Sequence, residues 1–503
     1  MKKIKLIALL LVSMVLLSAK SSDAQNTTFK LSDYKNPNYL YQSLDLNFGF
    51  YNRIDSYNHS GYSKSSTSSF DLNSQAGAVY RRYVNSQNAQ GDLRISFNGS
   101  IGTRKGNSNY SSDTYKVENN TKSSGHSESI DIVGLHRFYN QKQNFIEVNG
   151  RLLISDQGNS YTAKYFSSDT ATISDETKRK DFDNTISGSF LVGKGRIEQV
   201  QDARMALYLL DDLTVLNREN RPVSDEDVNN LAQLITKLKY RRFFDDRLRK
   251  IAEITAIDSF MQKKGIVNTA DAAYFTSLND NWEYANNPIR GNGHRLYTGL
   301  EASFGYNYQN VFLENKIPDD RIRETTSKDK IAVLNMVLGY LFEKPTSRRS
   351  QNFANIKGSI GIYQHFINSV NRIDPNPVIE TNSYSEKVPT VNLSGDYGFG
   401  YYPNSRTWLT FRWWLDSGWD KVMEGETKGE KKDLQNIFYT NTGPQLQAYY
   451  YLSAKLRLSF SFNGQFSFGN YKYTSEIHQG TLDKETTKSW SQTVNAALTY
   501  SLF

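Results

Sequence analysis

Between Lys455 and Phe468 the chain alternates almost without a break. Leu456, Leu458, Phe460, Phe462, Gly464, Phe466 and Phe468 fall on one face. Lys455, Arg457, Ser459, Ser461, Asn463, Gln465 and Ser467 fall on the other. A period of two specifies a β-strand. A strand this long, apolar on one side and polar on the other, suits a wall between lipid and water. The same alternation recurs at 44–50, 92–101, 146–154, 296–308, 391–401 and 409–416. Weaker versions occupy 70–83, 127–139, 182–193, 328–343, 351–365, 433–452 and 487–503. The expected fold is an all-β transmembrane barrel, antiparallel and up-and-down. It has about 14 strands, an even number as in single-chain bacterial barrels.

Composition agrees. Tyr and Phe number 33 and 27, while only 38% of the chain is hydrophobic. A membrane barrel reconciles the two, because half of its strand residues face water and its aromatics belt the interfaces. There is no cysteine, which excludes disulfides and thiolate metal sites. The formal charge of +8 includes lysines of the leader, so no nucleic-acid partner is expected.

The gaps between strands alternate in length. Long polar gaps are expected at 53–69, 105–126, 156–181, 309–327, 366–385, 421–432 and 471–486, and short ones near 84–89, 140–143, 344–350, 403–405 and 453–454. Barrels of this type have short inner turns and long outer loops. A first strand running outward places every long gap outside and every short gap inside.

Residues 1–24 read as a cleaved signal peptide. Lys2, Lys3 and Lys5 precede the apolar run Leu6–Leu17, and Ser22-Asp23-Ala24 offers a cleavage site. Barrel strands 1–6 are then expected within 25–193 and strands 7–14 within 294–503. Between them, 194–293 changes period from two to about 3.6. Val200, Ala203, Leu207 and Leu210 line a first helix; Val228, Leu231, Leu234, Ile235 and Leu238 a second; Leu248, Ile251, Ile254 and Ile257 a third. Ser224-Asp225-Glu226-Asp227 reads as a helix start, Gly265 as a stop, and a fourth helix follows Thr269. By strand parity this insertion is periplasmic, below the barrel or folded into it as a plug. Gly193, Gly195, Gly291 and Gly293 bracket it and read as flexible joints; a dinucleotide loop is rejected because Glu198 replaces the third glycine. Lys237, Lys239, Arg241, Arg242, Arg247, Arg249 and Lys250 form a basic stretch. It reads as a solvated helix surface, or as a contact for anionic lipid or an acidic envelope partner.

Signal, alternating strands, helical insertion and closing strand together resemble the outer-membrane β-barrel proteins of Gram-negative bacteria. The resemblance is one of class. It implies residence in the outer membrane, contact with its lipid, and recognition of the C-terminal strand by the barrel-assembly machinery. The end Thr499-Tyr500-Ser501-Leu502-Phe503 has the terminal aromatic of such strands. It departs at Ser501, because the alternating apolar residues align with Leu502 and not with Phe503.

Chemistry is sparse. The six histidines, His59, His126, His136, His294, His365 and His478, show no metal-ligand spacing. No catalytic residue, metal or cofactor is assigned. The inward face is more informative. It carries Asp45, Asp92, Arg94, Asp131, Glu147, Arg151, Glu301, Lys357, Asp396, Arg412, Lys455 and Arg457. These charges either brace the lumen as ion pairs or line a conduit that selects solutes. The first reading is a channel or transporter for small polar or amphipathic solutes. The second is a scaffold whose periplasmic helical module binds an envelope partner, and the third a barrel hydrolase.

Overall fold

A computed structural model describes residues 29–500 apart from 61–63, 113–115, 168–169, 240–245, 286–287, 317–319, 375–377, 423, 428–429, 433–434, 454–455 and 476–480. The expected signal peptide, Arg241, Arg242, Lys455 and the terminal Ser501-Leu502-Phe503 therefore lie outside the described residues.

Among the described residues, fourteen strands of at least 16 residues form the wall. They are β1 Tyr39–Ser60, β2 Lys64–Ser86, β3 Ala89–Ser111, β4 Lys116–Tyr139, β5 Asn144–Ser167, β6 Thr170–Lys194 and β7 Gly291–Lys316. The second half holds β8 Asp320–Pro345, β9 Ser350–Asp374, β10 Val378–Asn404, β11 Thr407–Val422, β12 Gln435–Tyr451, β13 Leu456–Ser475 and β14 Thr481–Tyr500. Each pairs antiparallel with the next in chain order. β6 pairs directly with β7 across the insertion. Among the described residues β14 and β1 do not pair, so the wall is open along that seam.

Alternation decides which side chains face outward. Phe48 is 81% exposed, Ile360 66%, Leu498 64%, and Leu338 60%. Trp413, Trp419, Tyr450 and Trp490 share this outer face. So much contiguous exposed apolar surface requires a nonpolar environment. With the up-and-down pairing it makes the fold a transmembrane β-barrel.

The long polar gaps expected from the sequence are largely strand. β3 continues to Ser111 and β4 resumes at Lys116, so most of the expected 105–126 gap is paired. Strands of 24 residues such as β4 and β5 rise about 80 Å along their length, far more than an apolar band of about 25 Å needs. The outer hairpins leave the lipid and continue into water. There both faces are wet, alternation vanishes, and only the backbone ladder keeps the strand.

The insertion folds as α1 Gln201–Val215, α2 Asp225–Lys239, α3 Asp246–Lys263 and α4 Ala272–Tyr284. Val200, Ala203, Leu207, Leu210, Val228, Leu231, Ile235, Ile257 and Trp282 meet in one dry core. Ile251 is 61% exposed and stands outside it, against the helical pattern expected for it. Ser224 Oγ accepts from the Asp227 amide at 3.2 Å while Asp227 accepts from the Ser224 amide at 3.1 Å, a capping box at the start of α2. Gly265, at φ +65°, ends α3. The Ile266 amide then donates back to Met261, as in a Schellman turn.

Candidate functional site

The lumen and its inner mouth form the site. On the wall, charges from neighbouring strands are brought together in pairs. Arg151 on β5 donates to both carboxylate oxygens of Asp131 on β4, at 2.8 and 3.3 Å. Arg137 pairs with Glu147. Arg412 lies 3.5 Å from Asp396 and stacks over Phe353. Lys357 on β9 reaches Glu301 on β7 at 2.7 Å, crossing β8 between them. It crosses beside Val337, which is 1% exposed. Arg457 stacks over Tyr449. Asp45, Asp92 and Arg94 remain exposed.

His365 also faces the lumen, opposite Glu386 in register. Its Nε2 lies 2.7 Å from Asp329 and its Nδ1 3.5 Å from Glu386, which accepts from the Tyr384 hydroxyl. Both ring nitrogens are thus engaged by carboxylates. His136 packs on Phe138 on the outer face. Among the described residues no cluster of carboxylates and histidines is arranged to hold a metal ion.

At the short-turn end of the barrel the helices meet the wall. Arg348, in the β8–β9 turn, donates to both oxygens of Asp211 on α1 at 2.6 and 2.8 Å. Arg406, in the β10–β11 turn, reaches Asp280 on α4 at 2.5 Å and covers the Tyr284 ring. Tyr284 in turn packs against Tyr451 at the end of β12. Tyr208 donates to the Tyr402 carbonyl at 3.2 Å.

Arg290 is fully buried and acts as a clasp. It donates to Gln351 Oε1 and to the carbonyls of Ser347, Arg348 and Ser350, at 2.6–3.0 Å, and stacks over Tyr402. Arg204 donates to the Ala285 and Pro288 carbonyls and also lies over the Tyr402 ring. Burial pushes the Arg290 guanidinium down to about 10 and lowers Arg204 as well. Arg290 stays cationic at neutral pH, held by carbonyl dipoles.

The N-terminal segment completes the module. Phe29, Leu31 and Tyr34 are buried in the helical core. Tyr34 and Thr236 share a hydrogen bond of 2.9 Å, and Thr236 donates to Asp202 at 2.7 Å. Asn36 donates to the Gln199 carbonyl and Asn292 to the Ser32 carbonyl. The chain therefore packs into the helical module before it enters β1.

Of the basic stretch, Lys239 is buried in an ion pair with Asp202 at 2.6 Å, and Lys250 pairs with Glu283. Both serve the module's own packing. Arg249 is half-buried and Lys237 exposed; the Arg247 side chain is outside the described ones. The bracketing glycines do more than hinge. Gly195 at φ +100° and Gly293 at φ +130° lie in the left-handed region. A Cβ on Gly195 would stand 2.2 Å from the His294 carbonyl oxygen, and one on Gly293 2.0 Å from that of Arg196. They allow two backbones to touch where the module leaves the wall.

Sequence reasoning missed Arg204, Asp211, Asp280, Arg290, Arg348 and Arg406. They lie in turns, at an element's edge or on helices and join segments 57 to 137 residues apart, with no local spacing to betray them. An arginine just before a strand, as at Arg290-Gly291, was the one available hint.

No protein-family profile and no curated protein sequence matches the chain. Solved structures similar to it are outer-membrane barrels. The translocator domain of autotransporter NalP from Neisseria meningitidis shares 8% identity over 84% of this chain and 91% of that one, at TM-score 0.24. The transport unit of autotransporter AIDA-I from Escherichia coli shares 7% over 84% and 93%, at 0.22. A mutant of the TodX monoaromatic hydrocarbon channel shares 9% over 93% and 91%, also at 0.22. At these identities and scores the likeness assigns no activity to the chain.

Proposed function

We propose that this chain is an outer-membrane channel or transporter for small polar or amphipathic solutes, with its inner mouth covered by the helical module. The observation that carries the reading is the joint between module and wall. Arg290, Arg348 and Arg406 fasten one folded unit across several inner turns at once. A barrel of about fourteen strands is too wide for its own side chains to fill. A braced polar lumen with a cover at one end fits a conduit whose opening is governed. The wall's apolar outer face supports residence in the outer membrane, and the short-turn end would then face the periplasm.

Conductance across planar bilayers tests this. The intact chain should conduct little. Replacing 200–289 with a Gly-Ser linker, or Arg290 with Ala, should raise the current. Silence of all three proteins would sink the channel reading.

A second reading has its own support. Val215, Ile251, Phe275 and Ile289 are exposed on or beside the helices, at 79%, 61%, 41% and 66%. Such residues suit a module that binds an envelope partner while the barrel anchors it. Capture of one defined envelope protein by the intact chain, lost in Val215→Ser and Ile251→Ser, would favour this reading.

A further inference from the structure

The outer face of β11–β14 carries a row of lysines above its aromatic belt. Lys421 sits opposite Asn436, Asn436 opposite Lys472, and Lys472 opposite Lys484. Four strands thus place three lysines and one amide in one line. With strands about 4.8 Å apart, the line spans roughly 15 Å. Two rows nearer the apolar band, Lys488 stands opposite Phe468 and over its ring at 6.0 Å. Trp419, Phe438, Phe466 and Trp490 form the belt there, each about two-fifths exposed. Phe466 and Trp490 pack with ring centroids 4.0 Å apart.

Like charges directly opposite on a sheet repel, and Lys472 and Lys484 are such a pair. Nothing on the described outer face of these strands offsets them: its side chains include no Asp or Glu. The nearby Asp416, Asp420 and Glu485 alternate to the lumen side. We propose that this face binds the phosphate groups of a phosphorylated membrane glycolipid. Its acyl chains would run down over Phe466, Phe460, Val494 and Leu498, exposed in the band below. A soluble anion would gain the lysines alone; an amphiphile gains both lysines and belt. The spread of the row suits a headgroup with separated phosphates, and Asn436 can donate between them.

The test is lipid retention by the full-length protein in detergent, read by native mass spectrometry. The probe is a bis-phosphorylated, acylated glucosamine disaccharide, compared with its dephosphorylated form. The wild type should retain the phosphorylated probe and not the other. Changing Lys421, Lys472 and Lys484 to Gln should weaken retention about fivefold per lysine, on the order of a hundredfold together. The same three positions changed to Arg should restore it. Heat-modified gel mobility reports whether each variant is folded. Should the Gln variant fail to fold, the comparison of the two probes on the wild type still decides. Equal retention of both probes, or unweakened binding by a folded Gln variant, would overturn the proposal. So would full displacement by inorganic phosphate, which would make this a site for soluble anions.

Discussion

Leu231 of α2 and Leu338 of β8 are both leucines at regular intervals in long elements. The first has no exposure and the second is 60% exposed. The helical module is an ordinary globule: its apolar stripes face one another, and its stability comes from removing them from water. The wall is turned inside out. Its apolar residues face lipid, its paired charges such as Arg151 and Asp131 face the lumen, and the cross-strand backbone ladder holds it together. The two parts should therefore answer the same kind of substitution differently. A buried polar contact in the module has no water to replace it. One in the lumen wall does.

The sharpest contrast is expected at Asp202. Asp202→Ala removes the carboxylate that Lys239 and Thr236 share in the helical core, and breaking such a buried pair costs about 3–5 kcal/mol. Trp282, in the same core, should report early melting of the module by fluorescence, while heat-modified gel mobility of the wall stays unchanged. Loss of both together would show that module and wall fold as one unit.

Arg290→Ala follows. It leaves Gln351 and three backbone carbonyls without their buried donor, at about 3 kcal/mol. Because the clasp spans the joint, faster protease cleavage between 200 and 289 is expected with an intact wall. Unchanged cleavage would mean that Arg348 and Arg406 hold the module alone.

A smaller effect is expected at the cap of α2. The hydrogen bonds from Arg221 and Ser224 hold the Asp227 carboxyl at about 2, below its ordinary 3.8. A depressed carboxyl stabilises the fold above about pH 4 and loses that contribution as pH falls through about 2. Asp227→Ala should cost about 1–2 kcal/mol at neutral pH. It should also flatten the acid limb of the module's stability profile below pH 4. A variant that keeps the wild-type acid limb would assign the limb to other carboxylates.

The smallest effect is expected in the wall. Lys357 and Glu301 are 34% and 29% exposed, so Lys357→Gln should cost under about 1 kcal/mol. The midpoint of the heat-modified gel shift measures it. A drop as large as that of Asp202→Ala in the module would show that the lumen is drier than the wall's chemistry suggests.

All fourteen long strands are foreshadowed by alternation, some strongly, as at 455–468, and some weakly, as at 433–452. Alternation is legible wherever one face meets lipid and the other water. It fails in the outer hairpins, where β1 runs on to Ser60 and β3 to Ser111 through polar residues. The helices were legible by the same logic at a different period, and Ile251 misled because an exposed apolar residue can keep that period. Beyond the arginine that precedes β7, the joint was not legible. Arg290 and Ser347, or Tyr34 and Thr236, meet only because the chain has already closed long loops around them.

The sequence alone determined that this chain builds a two-faced wall and interrupts it with a bundle of helices, since periodicity is a local property of side chains. It also placed the luminal charges on one face, because alternation assigns faces without any partner. Which of those charges pair, that the N-terminal segment belongs to the helical core, and that the module packs against the inner turns through Arg348 and Arg406 were decided by tertiary structure. Those contacts join residues far apart in the chain, and their stability depends on burial that exists only after the fold has formed.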